Sequence, residues 1–329
     1  MSAPTPLTQV PLSRRRVLAA LGLASLGSAF LAGCSNGASS AGSAGADSAS
    51  GLKVVASFYV MGDFAKKIGG DLVSVTDLVP AGTEPHDWEP SARDIEDLQA
   101  ADLFVYNGAG MEHWAEDVIS GLDASKVVEA SKGIALLDGD HDHDDDHDDD
   151  DDHEDTEHDP HVWLAPENAK AELAAIRDGL SAVDPDHATE YDAAYEEQAR
   201  AFDELDQEFR TGLEGLPNKT IVVSHAAYGY LCEAYGLTQR AITGIDAEGE
   251  PDAKTMAAII DYVKESGTKT IFTEELVSPK VAQAIADATG ASCVVLNPIE
   301  GLTEEQERAG EDYLSLMRQN LKALVAALS

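Results

Sequence analysis

Short β-rich runs and amphipathic helical runs alternate along this 329-residue chain, and this alternation restricts the fold more than any other feature. The first series begins at Leu52 with LKVVASF and continues through VSVTDLV, DLFVYNG and SKVVEAS, with helical runs such as SARDIEDLQAA between them. The second series contains TIVVS, TIFTE and SCVVLNP and ends in an amphipathic helix. Parallel strands need helical crossovers, so the order predicts an α/β fold with two lobes, each a parallel sheet flanked by helices.

A long helical pattern separates the two series. Its apolar residues recur three, four or seven positions apart, at Tyr191, Tyr195, Phe202, Leu205 and Phe209. About thirty residues without a helix breaker is long for a compact domain, so the pattern predicts one rigid helix, 186–216. This helix would join an N-terminal lobe, 52–185, to a C-terminal lobe, 217–329. Ligands in such an architecture bind at the carboxyl ends of strands, in the cleft between the lobes.

The N-terminal residues have the pattern of an export signal. Three arginines, Arg14 to Arg16, precede an apolar run that ends in small residues, which predicts a signal peptide over 1–33. The arginines fit either ordinary export or a twin-arginine signal. The segment LAGC, ending at Cys34, resembles the lipobox of bacterial lipoproteins, which implies a lipid on the Cys34 thiol. The Gly/Ser/Ala-rich residues of 34–51 then form a flexible tether, and the protein is expected outside the cytoplasm, anchored to the membrane.

The charge of the chain favours cations as partners. The formal net charge is −39, and residues 138–159 alone contain fifteen carboxylates with no lysine or arginine. No basic patch is present that could neutralise phosphates, so nucleic acid is not an expected partner. After Cys34 only Cys232 and Cys293 remain; they could pair outside the cytoplasm, or serve as two buried small apolar residues.

Three histidines stand where a strand meets a loop or a loop meets a helix. His86 follows the strand VSVTDLV, His161 precedes a helix in DPHVWLAP, and His225 ends the strand TIVVS. One such histidine would most often be structural. Three of them at positions facing the cleft favour a shared metal site.

Another five histidines lie in an acidic run at 138–159 that contains almost no apolar residue. They are His141, His143, His147, His153 and His158. Such a segment cannot bury a core, and we expect a disordered loop within the N-terminal lobe. It could collect zinc weakly, or it could be a solvated linker without a role. His113 and His187 read as ordinary surface residues.

Five segments, in order, resemble a known family. GTEPHDWEPSARD, DPHVWLAPENA, VVSHAAYGYL, FTEELVSPK and VLNPIEGLT are similar to successive motifs of the metal-binding solute-binding lipoproteins of ABC importers, of the ZnuA and TroA type. The resemblance covers the chain from Leu52 and implies two lobes on one long helix. In this family a His/acid-rich loop at the position of 138–159 marks the zinc-binding members.

The resemblance also implies a ligand set. Three histidine ligands fall on His86, His161 and His225, and the carboxylate ligand falls on Glu300. Some relatives have Asp where Asn297 stands, so an oxygen of Asn297 or Glu274 is an alternative fourth ligand. Three neutral imidazoles with one carboxylate suit Zn²⁺ rather than Mn²⁺, which prefers more oxygen donors.

Acidic and aromatic residues near the predicted ligands have two interpretations each. The acids Asp87, Glu274 and Glu275 could orient imidazole N–H groups or could be surface acids of an acidic protein. Similarly, Trp88, Trp163 and Tyr228 could form the walls of the site or could belong to the core.

These observations predict a zinc carrier and not an enzyme. It would capture Zn²⁺ and deliver it, as a monomer, to a membrane permease driven by a cytoplasmic ATPase. The chain has neither a Walker A motif nor an HExxH motif, and four protein ligands leave no open position for a catalytic water. The alternatives are a manganese carrier of the same family, a zinc buffer or adhesin, and a zinc hydrolase.

Overall fold

Strands and helices alternate in the computed structural model as the sequence pattern predicts. The structure describes residues 51–139, 158–247, 249 and 251–329. Its strands are β1 (Leu52–Ala56), β2 (Val73–Asp77), β3 (Leu103–Tyr106), β4 (Val127–Glu129), β5 (Thr220–Val223), β6 (Thr238–Ala241), β7 (Thr270–Thr273) and β8 (Ser292–Val295). Its α-helices are α1 (Tyr59–Gly69), α2 (Ala92–Gln99), α3 (Ala115–Ile119), α4 (Pro166–Val183), α5 (Ala188–Leu213), α6 (Gly229–Tyr235), α7 (Ala253–Ser266), α8 (Lys280–Thr289), α9 (Glu304–Ala309) and α10 (Tyr313–Leu328).

The N-terminal lobe contains a parallel sheet in the order β2-β1-β3-β4. Val54 on β1 pairs with Val75 on β2 and with Leu103 on β3. Side chains of the strands alternate between two apolar clusters. One face packs on α1 and α4, and the other packs on residues of α2 and α3. Burial on both faces explains the nearly continuous apolar runs of these strands.

The C-terminal lobe contains two parallel strand pairs, β5-β6 and β7-β8, with β5 and β7 next to each other. Ile271 and Val222 face α7 and α8 in one cluster, while Ile221, Val223 and Phe272 face the main core. The sequence analysis missed β6, because the short segment TQRA alternates exposed and half-buried side chains at an edge and has no apolar run.

Helix α5 spans 26 residues without a break and joins the lobes, as predicted. It packs on α4, α1 and α10. Phe202 stacks on Tyr313 of α10 with ring centroids 5.1 Å apart and Phe64 of α1 packs edge-on against both rings. One apolar cluster therefore continues from the N-terminal sheet through α5 into the C-terminal lobe.

Two helix starts differ from the sequence expectation. The segment SPKVAQAIADATG predicts a helix capped by Ser278 with Pro279 as its first residue. In the structure α8 begins at Lys280, and Pro279 takes the cap position without a side-chain hydrogen bond. The terminal helical pattern is split into α9 and α10 at Gly310, whose φ of 73° a residue with a side chain rarely adopts. Asp312 then starts α10 with a capping box.

Of the two interpretations of Cys232 and Cys293, a disulfide pair is not formed. Cys232 is buried in the main core, whereas Cys293 lies half-buried on β8 against the separate α7–α8 cluster, and both thiols are free. Cys34, the signal 1–33 and nearly all of the tether 34–51 lie outside the described residues. Within the described ranges, no helix combines the length and apolarity needed to cross a membrane.

Candidate metal centre

His161 lies in a tightly held segment directly before α4. Its side chain is fully buried, and both its backbone N–H (3.0 Å) and its ring Nδ1 (2.8 Å) bond Oδ1 of Asp159. A carboxylate can only accept, so Nδ1 carries the ring hydrogen. In the neutral ring the lone pair therefore lies on Nε2, where it can bind a metal ion.

His225 is held in the same way at the carboxyl end of β5. Its Nδ1 lies 2.8 and 2.9 Å from the two oxygens of Glu274, the residue that follows β7. Both side chains are buried, with exposures of 0% and 3%. The contact between β5 and β7 thus brings an orienting carboxylate to this imidazole and fixes its tautomer.

Glu300 lies in the loop that follows β8, and its side chain is almost fully buried. The preceding residue, Ile299, has a φ of 63°, which is uncommon for a β-branched residue and costs about 1–3 kcal/mol. The Asn297 side chain accepts the Ile299 N–H at 2.6 Å, and Asn320 accepts the backbone N–H of Asn297. These bonds hold the strained loop that places Glu300.

His86 lies on the loop between β2 and α2 and is the most exposed of the three histidines. Its backbone N–H and that of Asp87 bond the carboxylate of Glu84, which is buried. Its Nε2 lies near Nε2 of His161 and Oε1 of Glu300.

The three imidazoles and Glu300 point donor atoms at one place. Nε2 of His161 lies 3.2 Å from Nε2 of His86 and 3.2 Å from Nε2 of His225. Oε1 of Glu300 lies 3.0, 3.4 and 3.3 Å from the Nε2 atoms of His161, His86 and His225. A tetrahedral zinc ion with bonds of 2.0–2.1 Å would separate its donors by about 3.3 Å. The spacing of these donor atoms is therefore close to that around a tetrahedral metal ion, and all four lie within 4.8 Å of one another.

The imidazoles of His161 and His225 and the carboxylate of Glu300 shift one another's pKa values. Burial alone would lower the pKa of both His161 and His225, but the carboxylates of Asp159, Glu274 and Glu300 raise both values above the ordinary one. Burial would raise the pKa of Glu300, but the charge of His225 and the hydrogen bonds of the three imidazoles hold it well below its usual range. The cluster thus favours protons on the imidazole nitrogens and negative charge on Glu300.

The structure brings together the four residues predicted as ligands, and it assigns different positions to the alternatives. Glu274 contacts the back of the His225 ring, and Asn297 braces the loop before Glu300. The Asp87 side chain is exposed and its backbone N–H reaches Glu84, which favours the second interpretation of this residue, a surface acid. Glu275 instead accepts a bond from Gln306.

Other histidines lie away from the cluster. His113 is exposed, 3.9 Å from Glu89, and His187 bonds Asp184 near the start of α5. His158 is half-buried and pairs with Asp138 in an antiparallel bridge. The remaining histidines of the acidic run, His141, His143, His147 and His153, lie outside the described residues.

Two of the three aromatic residues considered belong to both the core and the wall of the site. Trp163 is fully buried, lies 5.4 Å from the His161 ring and donates its Nε1–H to the Pro298 carbonyl. Tyr228 donates its hydroxyl to the Leu296 carbonyl. Trp88 packs instead on Trp114, 5.7 Å away.

Sequence reasoning missed two acids that border the site. Asp159 orients His161, and its place two residues before a histidine in DPH was the available signal. Glu84 stands two residues before His86, where burial raises its pKa to about 7 and Glu300 adds to this rise while His86 opposes it. An acidic residue in a chain with 61 acids carries little information by itself.

The chain matches a family of metal-uptake proteins over nearly all of its described length. The family model described as "Zinc-uptake complex component A periplasmic" matches residues 54–327. The zinc-binding lipoprotein AdcA of Streptococcus pneumoniae serotype 4 is 40% identical over 314 residues, which cover 92% of this chain. This chain spans 59% of that relative's length. The high-affinity zinc uptake system protein ZnuA of Bacillus subtilis is 39% identical, with 93% of this chain and 97% of the relative aligned.

Solved structures agree with this match. The Zn(II)-bound ZnuA-like domain of Streptococcus pneumoniae AdcA superposes with a TM-score of 0.72 at 37% identity, covering 84% of this chain and 99% of that domain. The laminin-binding protein Lmb of Streptococcus agalactiae, described as bifunctional with adhesin and metal transporting activity, gives a TM-score of 0.74 at 35% identity. That superposition covers 85% of this chain and all of the Lmb chain.

Proposed function

We propose that this chain, which belongs to the periplasmic zinc-uptake complex component A family, captures Zn²⁺ outside the cytoplasm and delivers it to an ABC-type membrane importer. The observation that carries the proposal is the buried cluster of three Nε2 atoms and one carboxylate oxygen. Five of the separations between these donor atoms are 3.0–3.4 Å, in agreement with a tetrahedral zinc ion. In this proposal His86, His161, His225 and Glu300 are the four zinc ligands.

The donor chemistry favours zinc over manganese. Three neutral imidazoles and one carboxylate match the tetrahedral N/O sites of zinc, whereas manganese prefers sites richer in oxygen. The set also contains no thiolate, which suits a protein that must release its ion to a partner. Asp159 and Glu274 act behind the ligands by holding two of the imidazoles in the metal-binding tautomer.

The remaining parts of the proposal concern location and partners. Residues 1–33 serve as the signal, Cys34 carries the lipid, and 34–51 tether the protein to the membrane, in agreement with the name lipoprotein given to the AdcA relative. The partner is the membrane permease of the importer with its cytoplasmic ATPase, and the carrier acts as a monomer. The acidic run 138–159, with His141, His143, His147, His153 and His158, assists in collecting zinc.

Catalysis does not fit the proposed coordination. A hydrolytic zinc site keeps a position open for water, whereas four protein donors here already lie at tetrahedral separations. The protein is therefore proposed as a binding protein and not as an enzyme.

A competitive titration of zinc against manganese tests the proposal. The mature protein should bind one zinc ion tightly, and manganese should displace it only at a large excess. The same titration on a variant with residues 140–157 replaced by a short glycine-serine linker isolates the tight site. Displacement of zinc by an equal concentration of manganese would favour the manganese carrier instead.

A further inference from the structure

The segment that carries His161 is held by hydrogen bonds from both lobes. From the N-terminal lobe, the Asn107 side chain donates to the Pro160 carbonyl at 2.9 Å. From the C-terminal lobe, the Tyr230 hydroxyl donates to the Asp159 carbonyl at 2.8 Å. The two bonds fix consecutive carbonyl groups directly before His161.

Tyr230 uses its hydroxyl in both directions. It donates to the Asp159 carbonyl and accepts the Leu137 N–H at 3.0 Å. The Asp159 N–H donates to the Leu137 carbonyl at 3.0 Å, so Tyr230, Leu137 and Asp159 form a closed cycle of three hydrogen bonds. Tyr230 is only 2% exposed, so water could not readily replace these bonds.

This cycle of hydrogen bonds and the start of α6 fix the position of the Asp159 carboxylate. Its Oδ1 bonds both the backbone and the ring of His161, and its Oδ2 lies close to the backbone of Gly229. A Cβ added at Gly229 would stand 2.4 Å from Oδ2. The close approach therefore depends on the missing side chain at 229, next to Tyr230.

We propose that Tyr230 is a positioning residue that raises the zinc affinity of His161 by holding Asp159 in place. This inference rests on the proposed zinc-binding function. His225 and Tyr230 stand five residues apart in SHAAYGY, so one short segment supplies a proposed ligand and the support of another. An imidazole that is already oriented loses less conformational freedom when the metal binds, and outer partners of this kind change metal affinity by about 10- to 100-fold.

The test compares Tyr230→Phe with Tyr235→Phe. Both tyrosines lie on α6, and each substitution removes one hydroxyl, but the Tyr235 hydroxyl donates to Asp206 on the linking helix α5. Zinc affinity is measured by competition with a chelator, and the ligand geometry by the visible spectrum of the Co²⁺-loaded protein. We expect Tyr230→Phe to weaken zinc binding about tenfold and to alter the Co²⁺ spectrum, with neither change in Tyr235→Phe.

A double-mutant cycle separates positioning from a general loss of stability. If Tyr230 acts through Asp159, then Tyr230→Phe should add little to the loss caused by Asp159→Asn. Gly229→Ala provides a second route, because its Cβ displaces the carboxylate while Tyr230 remains; it should also weaken zinc binding. Thermal unfolding of each zinc-free variant shows that the affinity is measured on folded protein.

The outcomes distinguish this inference from the proposed function. Wild-type affinity in Tyr230→Phe, or additive losses in the cycle, would overturn the role of Tyr230 while leaving the zinc site intact. Absence of tight zinc binding in the wild-type protein would overturn the proposed function itself.

Discussion

His86 differs from His161 and His225 in how its ring is held. The side chains of His161 and His225 are 0% exposed, and each Nδ1 bonds a buried carboxylate. The His86 side chain is 10% exposed, and its ring lies on a loop whose nearby carboxylate, Glu84, bonds the backbone instead. Two of the proposed ligands thus have Nδ1 held by a buried carboxylate, and the described part of the chain gives His86 no such bond.

The difference suggests an order of events at the site. A metal ion reaching the cluster would meet two imidazoles and Glu300 already in position, and His86 would complete the tetrahedron from the more exposed side. Release would begin in reverse, by movement of His86 away from the ion. We expect the buried pair to determine affinity and His86 to influence exchange rates.

Removal of a buried ligand should have the largest effect. His161→Ala or His225→Ala deletes an oriented donor and should weaken zinc binding by about 100- to 1,000-fold. This factor corresponds to about a quarter of the binding free energy of a four-ligand structural zinc site. His86→Ala should cost less, because its ring loses more freedom on binding, and should mainly accelerate zinc release. Chelator competition gives the affinities and stopped-flow chelation gives the release rates. Equal losses of affinity in all three variants would contradict the difference between His86 and the buried pair of histidines.

Removal of the orienting carboxylates should have the next largest effect. Asp159→Asn and Glu274→Gln keep shape but weaken the bond that fixes each tautomer, and should each reduce zinc affinity about 10- to 100-fold. Asp87→Asn is the matched control, because its exposed side chain contacts none of the proposed ligands among the described residues, and should leave the affinity unchanged. A loss in Asp87→Asn as large as that in Asp159→Asn would contradict the assignment.

The pH dependence follows from the raised pKa values of His161 and His225. Zinc must displace protons from these rings, so affinity should fall as pH is lowered from 8 to 6, by up to about tenfold per pH unit for each proton displaced. The stability of the zinc-free protein should depend on pH in the opposite direction. The contribution of these histidines is fully present below their ordinary pKa and is lost as pH rises through the raised values.

Chelator competition and thermal unfolding of the zinc-free protein across this range check both signs. Glu300 has a lowered pKa, so it should stay ionised throughout and add no dependence of its own. A zinc affinity that does not change with pH would show that the rings are unprotonated before the metal binds.

The smallest effect is expected from the acidic run. The Asp138–His158 bridge and the Asp159–Leu137 hydrogen bond bring its two ends together, so a short linker can replace residues 140–157 without moving them. Tight zinc binding should change less than about twofold, while weaker ions should be lost, as isothermal titration would show. Loss of the tight ion with the linker would place the principal site in the acidic run.

Much of the fold followed from local patterns. The pattern SARDIEDLQAA contains α2, and four of the five recurring apolar residues of the long helix are buried along α5, with Tyr195 half-buried. Strand β6 could not be predicted in this way, because its pairing with β5 and not its own composition makes it a strand. The break between α9 and α10 depended on Gly310, whose left-handed conformation is not visible in a helical periodicity.

The site was predictable only in part for the same reason. Histidines at the junctions of strands and loops are rare enough to be noticed, and those junctions meet in an α/β cleft. The acids behind them are common residues: Glu274, 49 residues from His225, was one of several candidates, and Asp159, two residues before His161, was missed. Asp87 was adjacent to a predicted ligand and yet points to solvent, so proximity in sequence was a poor guide.

The four proposed ligands can be tested by X-ray absorption spectroscopy of the zinc-loaded variant in which a linker replaces residues 140–157. With one zinc ion per chain, we predict three imidazole nitrogens and one carboxylate oxygen at about 2.0–2.2 Å. The imidazole signal should fall to two rings in His86→Ala. A spectrum with fewer than three imidazoles in the parent variant, or with the same three after loss of His86, would contradict the account.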